Sequence, residues 1–347
     1  MALHAHILTN ISDRVFTRHA PNWRPEWDGV TFSFGLTLPA HMDVLIVYTR
    51  ASWTVRPGLP RGRTAFVGGE PEVIHNYSGA FLNQFGLVVA STSRRLATTR
   101  LKETAPIPWF AGYNFAHPEK SLGFDALVDL PMPEKDDRIS VVTSLKTHTP
   151  FQRRRLKLIE HLKQAIPERI VIYGAGVNRI ADKKDALLPH RYHLALENNG
   201  APFSWTEKLA DPLLCHAFPF YVGCSNVEQE LPADALLRID PKDPAAAINV
   251  MVNAVDSGLW ARRLDAIHEA RNRILHHHNI LALFSRITKQ LCALPAEGPP
   301  VTLRSEKSLP PEPGSRGTWP GMLLRRAVLA IDPGLELRVA RRRGPHQ

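Results

Sequence analysis

Short apolar runs recur along most of the chain at intervals suited to alternating strands and helices. Met42-Asp43-Val44-Leu45-Ile46-Val47-Tyr48 predicts a buried strand over 42–48. Thr64-Ala65-Phe66-Val67 predicts a second, and Phe85-Gly86-Leu87-Val88-Val89-Ala90 a third. Residues 71–85 read as a loop entering a helix. After Pro150 the spacing becomes helical: Leu156, Ile159, Leu162 and Ile166 share a face, which predicts a helix over 151–166 ended by Pro167. Further strands are expected at 169–173, 192–196 and 218–222, with a helix over 206–216. Residues 245–291 read as helical in at least two pieces, broken near Ser257-Gly258. Near-continuous apolar strands alternating with helices imply parallel sheets covered on both faces, hence an α/β protein. No internal repeat is present.

A chain of 347 residues exceeds what one hydrophobic core usually serves, so two domains are expected. The pattern divides it into 1–148, 149–294 and a remainder, 295–347. Prolines 295, 299, 300, 310, 311 and 313 argue against a packed fold in that remainder. Its last part mixes Met322-Leu323-Leu324 and Ala327-Val328-Leu329 with Arg325, Arg326, Arg338 and Arg341 to Arg343, a tail suited either to solvent or to an anionic membrane surface.

The formal charge of +10 calls for an anionic partner: nucleic acid, a nucleotide phosphate or an anionic membrane. No RNA- or DNA-binding motif accompanies the charge, so no nucleic acid is expected. Cys215, Cys224 and Cys292 match neither a disulfide framework nor a zinc pattern, which favours a reducing compartment. No apolar run approaches the roughly 18 residues of a spanning helix. The N-terminal MALHAHILTNISDRVF lacks the features of a signal peptide. The expectation is a cytoplasmic protein, with peripheral contact to the inner face of a membrane through the tail.

Candidate chemistry concentrates in Glu197-Asn198-Asn199 and, a few residues later, Trp205-Thr206-Glu207-Lys208. Open α/β sheets bind ligands beyond the carboxyl ends of their strands, and Glu197 and Asn198 lie just past such an end. A helix opening near Thr206 turns free N–H groups and its positive dipole end to the same place, which suits a phosphate. Lys208 opposes the dipole there, and a diphosphate over the turn would explain it. Glu207 can accept hydrogen bonds from both hydroxyls of a ribose. The residues equally allow a solvated Glu–Lys pair at an ordinary helix start.

The spacing Glu-Asn-x(7)-Thr-Glu-Lys resembles the signature of the α-1,3/4-fucosyltransferases, glycosyltransferase family 10, in a bacterial-type form. Glu197, Asn198, Thr206, Glu207, Lys208, Pro219 and Gly223 fall in register with it. The family's aromatic two residues before the threonine is Ser204 here, with Trp205 beside it. An arginine seven residues before a helix leucine matches Arg155, seven before Leu162; Arg153 and Arg154 adjoin it. In the first half, Phe66-Val67-Gly68-Gly69-Glu70-Pro71, with Tyr77 downstream, is similar to the family's strand ending in Gly-Glu. The likeness is weak over 1–60, reasonable over 64–145 and strongest over 146–245.

The resemblance implies a GT-B fold, two Rossmann-like domains facing across a cleft. It implies inverting transfer of L-fucose from GDP-fucose to a hydroxyl of an oligosaccharide or lipid-linked glycan. Glu70 would be the general base, and Arg155, Glu197, Asn198, Ser204, Glu207 and Lys208 would bind the donor, with no metal or other cofactor. Two alternatives stay open: a transferase using another nucleotide-linked deoxysugar, and a non-catalytic protein that binds nucleic acid or a glycan.

Three features are read as structural. His276-His277-His278 is expected to be a solvated basic patch, since consecutive histidines face different ways on a helix. Asp136-Asp137 is placed in a polar loop, 133–138. Gly174-Ala175-Gly176 lacks the third glycine of a dinucleotide fingerprint and reads as a turn near the nucleotide cleft.

Overall fold

In the computed structural model the described residues are 2–49, 53–106, 108–145, 147, 150–174 and 178–309. Seven strands form the first sheet: β1 (Leu3–Leu8), β2 (Glu26–Trp27), β3 (Val30–Gly35), β4 (Val44–Tyr48), β5 (Thr64–Val67), β6 (Leu87–Val89) and β7 (Thr99–Arg100). Their order is β2-β3-β1-β4-β5-β6-β7, parallel except for β2 against β3. The predicted strands at 42–48, 64–67 and 85–90 are its central members. Two short helices, α1 (Asp13–Thr17) and α2 (Gly79–Leu82), lie in its connections, and α3 (Phe124–Val128) leads towards the second sheet.

The second sheet is wholly parallel: β8 (Asp136–Val142), β9 (Ile170–Tyr173), β10 (His190–Leu196), β11 (Phe218–Val222) and β12 (Leu237–Arg238), in the order β12-β11-β10-β8-β9. Its helices are α4 (Pro150–Ala165), α5 (Lys184–Leu187), α6 (Glu207–Leu214), α7 (Pro244–Asp256), α8 (Leu259–Arg262) and α9 (Leu264–His276). A further helix, α10 (Ile280–Ala293), follows. Both sheets are thus Rossmann-like, and the chain is an α/β protein built on two such sheets.

The domain limits differ from the expected ones. β8 pairs with β9 and β10, so the polar 133–138 segment opens a strand of the second sheet. Its charges are satisfied there: Asp136 accepts from Arg138 and sits 2.7 Å from His190 Nδ1, and Arg191 donates to Asp137. Trp109, Ala111, Phe124 and Leu127 already pack in the second core, so the chain crosses between domains near 101–109, not at 148. It returns with α10, which packs on β1, β2, β3 and β4 of the first sheet and places Ile280, Leu281, Leu283, Phe284 and Ile287 in that core. Residues 295–309 continue on that domain. Val55 and Leu303 exchange backbone hydrogen bonds, Leu303 is buried, and His75 Nε2 lies 2.8 Å from Glu306. Proline excludes helix and central strand but not an extended segment packed against a surface. The Arg-rich stretch 319–343 lies outside the described residues.

Helix α4 confirms the expected face at Ile159, Leu162 and Ile166, with Leu158 rather than Leu156 fully buried. The 245–291 region divides at Ser257-Gly258, as expected, and again at 277–279. There His278 is buried against the edge of Trp205, with Nε2 on the Glu230 carbonyl, and burial pushes its pKa down to about 3. His278 is therefore a neutral packing group, while His276 and His277 stay exposed. Among the described residues no helix is long and apolar enough to cross a membrane. All three cysteines are free thiols.

Candidate active site

The order of the second sheet reverses between β8 and β10, the point at which an open α/β sheet offers a crevice. A pocket lies there, lined by Val142, Arg155, Lys183, His193, Leu196, Lys208, Asp211 and Pro212 among others. Val142 and Leu196 are the last residues of their strands. Its space of about 350 Å³ includes part of the open solvent at its mouth.

Thr206 caps α6, its Oγ1 accepting from Lys208 N–H. Glu197 fixes the cap from below. Its Oε1 accepts from Thr206 N–H at 2.7 Å, and its carboxylate takes Thr206 Oγ1–H at 2.7–2.9 Å. Glu197 is 3% exposed with both oxygens engaged, which places it beneath the loop. Gly223 closes over it. A Cβ at Gly223 would stand 2.4 Å from Tyr221 OH and 2.5 Å from Glu197 Cγ. Gly223→Ala is therefore expected to destabilise the fold by about 1–3 kcal/mol, read from the urea midpoint. An unchanged midpoint would show that Glu197 can move aside.

Glu207 and Lys208 are not the solvated pair that the sequence allowed. Their side chains are only 12% and 26% exposed. Lys208 Nζ lies 3.0 Å from Glu207 Oε1, 3.2 Å from Thr206 Oγ1 and 3.8 Å from Glu197 Oε2. Burial opposes the charge on Lys208, but Glu207 and Glu197 beside it override burial and raise its pKa. For Glu207, burial also opposes ionisation, yet Lys208 and Lys183 prevail and its carboxyl falls to about 2. In Glu197 burial wins and the pKa rises, despite Lys208 and the Thr206 hydrogen bonds. Of the two carboxylates at this turn, Glu207 is the one held more firmly ionised.

Arg155 alone of the three consecutive arginines lines the pocket, whereas Arg153 and Arg154 are exposed. Its guanidinium donates to the Ser144 carbonyl at 3.0 Å, its Nε has no hydrogen-bond partner, and burial lowers its pKa. Asn198 is half-buried with Oδ1 unpartnered, and it is not among the lining residues of this pocket. His193, hydrogen-bonded to Ser140 Oγ, is pushed by burial down to about 3 and is neutral.

The first domain supplies Glu70. It follows β5 on the turn Gly68-Gly69, where a Cβ on Gly69 would meet Thr49 Cγ2 at 2.7 Å. A second pocket spans the two domains: Gly68, Gly69, Glu70, Pro71, Ser91 and Ala105 from one side, Phe203, Ser204, Trp205 and Thr206 from the other. Glu70 is close enough to act on the charge of Lys208. Ser204 is buried, its N–H on Cys224 Sγ at 3.5 Å. Trp205 is buried too, donating Nε1–H to Glu230 Oε2 at 2.9 Å, which locks the loop. Gly174 closes against Thr143 as a turn, while 175–177 lie outside the described residues.

Sequence reasoning missed Lys183 and Asp211. Asp211 is fully buried on α6, one turn after Glu207, and lies 2.8 Å from Lys183 Nζ. Its signal was a charged residue on the apolar side of a helix, beside Pro212.

No family model matches the chain, and no curated protein matches it in sequence. Solved structures resemble it at low identity. One is an α1,3-fucosyltransferase with GDP-fucose, 17% identical over 83% of this chain and 90% of that one, with a TM-score of 0.48. Another is trehalose-6-phosphate synthase, 11% identical over 73% of each chain, TM-score 0.46. A third is a glycosyltransferase from Rickettsia africae ESF-5, 10% identical over 84% of this chain and 98% of that one, TM-score 0.46.

Proposed function

We propose that this protein is a glycosyltransferase that takes its sugar from a GDP-linked donor, L-fucose by the signature resemblance, and inverts the anomeric centre. The observation that carries this reading is the convergence of Glu70 from one domain and the 203–206 segment from the other on one interdomain pocket, with Lys208 within reach of the Glu70 charge. The cationic crevice of Arg155, Lys183 and Lys208 lies directly behind that segment.

The roles follow from charge and position. Arg155 and Lys208 face the diphosphate and stabilise the negative charge that grows on it as it leaves. Glu207 accepts from the ribose hydroxyls. Asn198, with its unpartnered oxygen, and Ser204 border the sugar nucleotide. An acceptor hydroxyl on an oligosaccharide or lipid-linked glycan passes its proton to Glu70 as its oxygen bonds to the anomeric carbon. The bond from that carbon to GDP breaks on the opposite face. In this reading the cations of the protein, and no metal, balance the leaving diphosphate.

Ser204 supports a second reading, a transferase for another nucleotide-linked deoxysugar. It stands where the family signature has an aromatic, so contacts of that ring to the sugar are absent. Calorimetric titration with GDP-fucose, GDP-mannose and UDP-galactose separates the cases. Selective binding of GDP-fucose is expected. Equal binding of GDP-mannose would reopen the sugar, and binding of none would remove the donor assignment.

A further inference from the structure

Lys183 precedes α5 and lies outside the signature. Its Nζ is 2.8 Å from Asp211 Oδ2 and 3.7 Å from Glu207 Oε1, and it stands 5.6 Å from the centre of the Phe110 ring. The other oxygen of Asp211, Oδ1, accepts the backbone N–H groups of Phe110 and Ala111 at 2.9 and 3.0 Å. Asp182, next to Lys183 and 3% exposed, accepts Gly112 N–H at 2.9 Å. Arg18 of the first domain takes the carbonyls of the same stretch, Trp109 and Ala111. The segment 109–112, where the chain passes between cores, is therefore fastened from both sides.

We propose that Lys183 is a positioning residue for nucleotide binding, bridging Glu207 to Asp211 and so joining the donor-side carboxylate to the interdomain segment 109–112 as one unit. This rests on the nucleotide-binding reading above. The charges explain why Lys208 does not suffice. Lys208 is shared among Glu207, Glu197 and Thr206. When a diphosphate draws it forward, Lys183 is the cation that stays on Glu207. A carboxylate that must receive two hydroxyls has to remain ionised and in one orientation, and a buried ion pair with Asp211 anchors the cation that does this. The charged groups around Glu207 are Lys208, Lys183, Glu197 and Asp211, with Arg155 in the pocket and Glu70 across the cleft.

The test is titration of GDP into wild type, Lys183→Met, Lys183→Arg and Asp211→Asn at about pH 8 and about pH 5.5, with thermal melts as folding controls. Lys183→Met is expected to weaken GDP binding about tenfold at the higher pH. The loss should deepen at the lower pH, because Glu207 without Lys183 takes up a proton more readily. Lys183→Arg should stay within about threefold of wild type. A folded Lys183→Met that binds GDP within about twofold of wild type at both pH values overturns the bridge alone. Failure of wild type to bind GDP overturns the nucleotide reading and the bridge with it. If Lys183→Met does not fold, Asp211→Asn decides, since its amide oxygen still accepts from Phe110 and Ala111 while the charge facing Lys183 is gone. It should weaken GDP binding at both pH values without deepening in acid, because the negative charge neighbouring Glu207 is gone while Lys183 remains, and binding equal to wild type overturns the proposal.

Discussion

Replacing Glu70 by glutamine is expected to leave GDP binding within about twofold of wild type while lowering transfer by about 10²–10⁴-fold. Glutamine keeps the size of the side chain on the Gly68-Gly69 turn but cannot take the acceptor's proton. Glu70 belongs to the first domain, whereas the crevice of Arg155, Lys183 and Lys208 belongs to the second, so the two measurements should separate cleanly. The residual coupling has a known sign. Glu70 supports the charge on Lys208, and removing its negative field leaves the crevice no less attractive to phosphate. Binding and initial rates are measured on the same preparation, with GDP-fucose and an acceptor found by screening. Near-normal turnover of Glu70→Gln would show that the proton goes elsewhere.

The elements legible in the sequence were those whose local pattern agreed with their environment. β4, β5 and β11 are apolar on both faces because helices cover both sides, and α4 shows its stripe openly. β8 was hidden by Lys135-Asp136-Asp137-Arg138, of which Lys135, Asp136 and Asp137 find partners only in tertiary structure. Lys135 alone gives its protons to the carbonyls of Leu187, Leu188 and His190. β1 was hidden by His4 and His6, which alternate with apolar residues and both reach Ser33 Oγ on β3. The 295–309 segment was misread because proline content reports on helix and sheet, not on packing.

Within the candidate site, the residues that face a cleft were easier to place than those that hold them. Glu70, Arg155 and Lys208 were found through spacing and all three line a pocket. Glu197 was found by the same spacing, yet its chemistry could not be read from it. A carboxylate at a strand end can meet a ligand or cap the next loop, and only its burial decides. Lys183 and Asp211 act through a contact spanning 28 residues, which no local pattern reports.

Lys208→Ala is expected to abolish both GDP binding and transfer, with affinity falling by more than about 100-fold. Two losses combine. The pocket loses the cation nearest the helix start, where the developing charge of the diphosphate must be met. The turn also loses the group that sits between Glu197 and Glu207, leaving two buried carboxylates facing each other. Breaking a buried pair from one side costs about 3–5 kcal/mol, partly relieved here as Glu197, whose pKa is already raised, takes up a proton. Stability should therefore fall as well, and more at alkaline pH than in acid. Arginine should not restore function, because a planar fork cannot occupy the point between two carboxylates and a hydroxyl that an ammonium fills. The contrast with Glu70→Gln is the informative part: one substitution removes transfer alone, the other removes transfer through binding. If folded Lys208→Ala binds GDP like wild type, Lys208 serves only to neutralise the two glutamates. The phosphates would then belong to Arg155, whose buried Nε already lacks a partner.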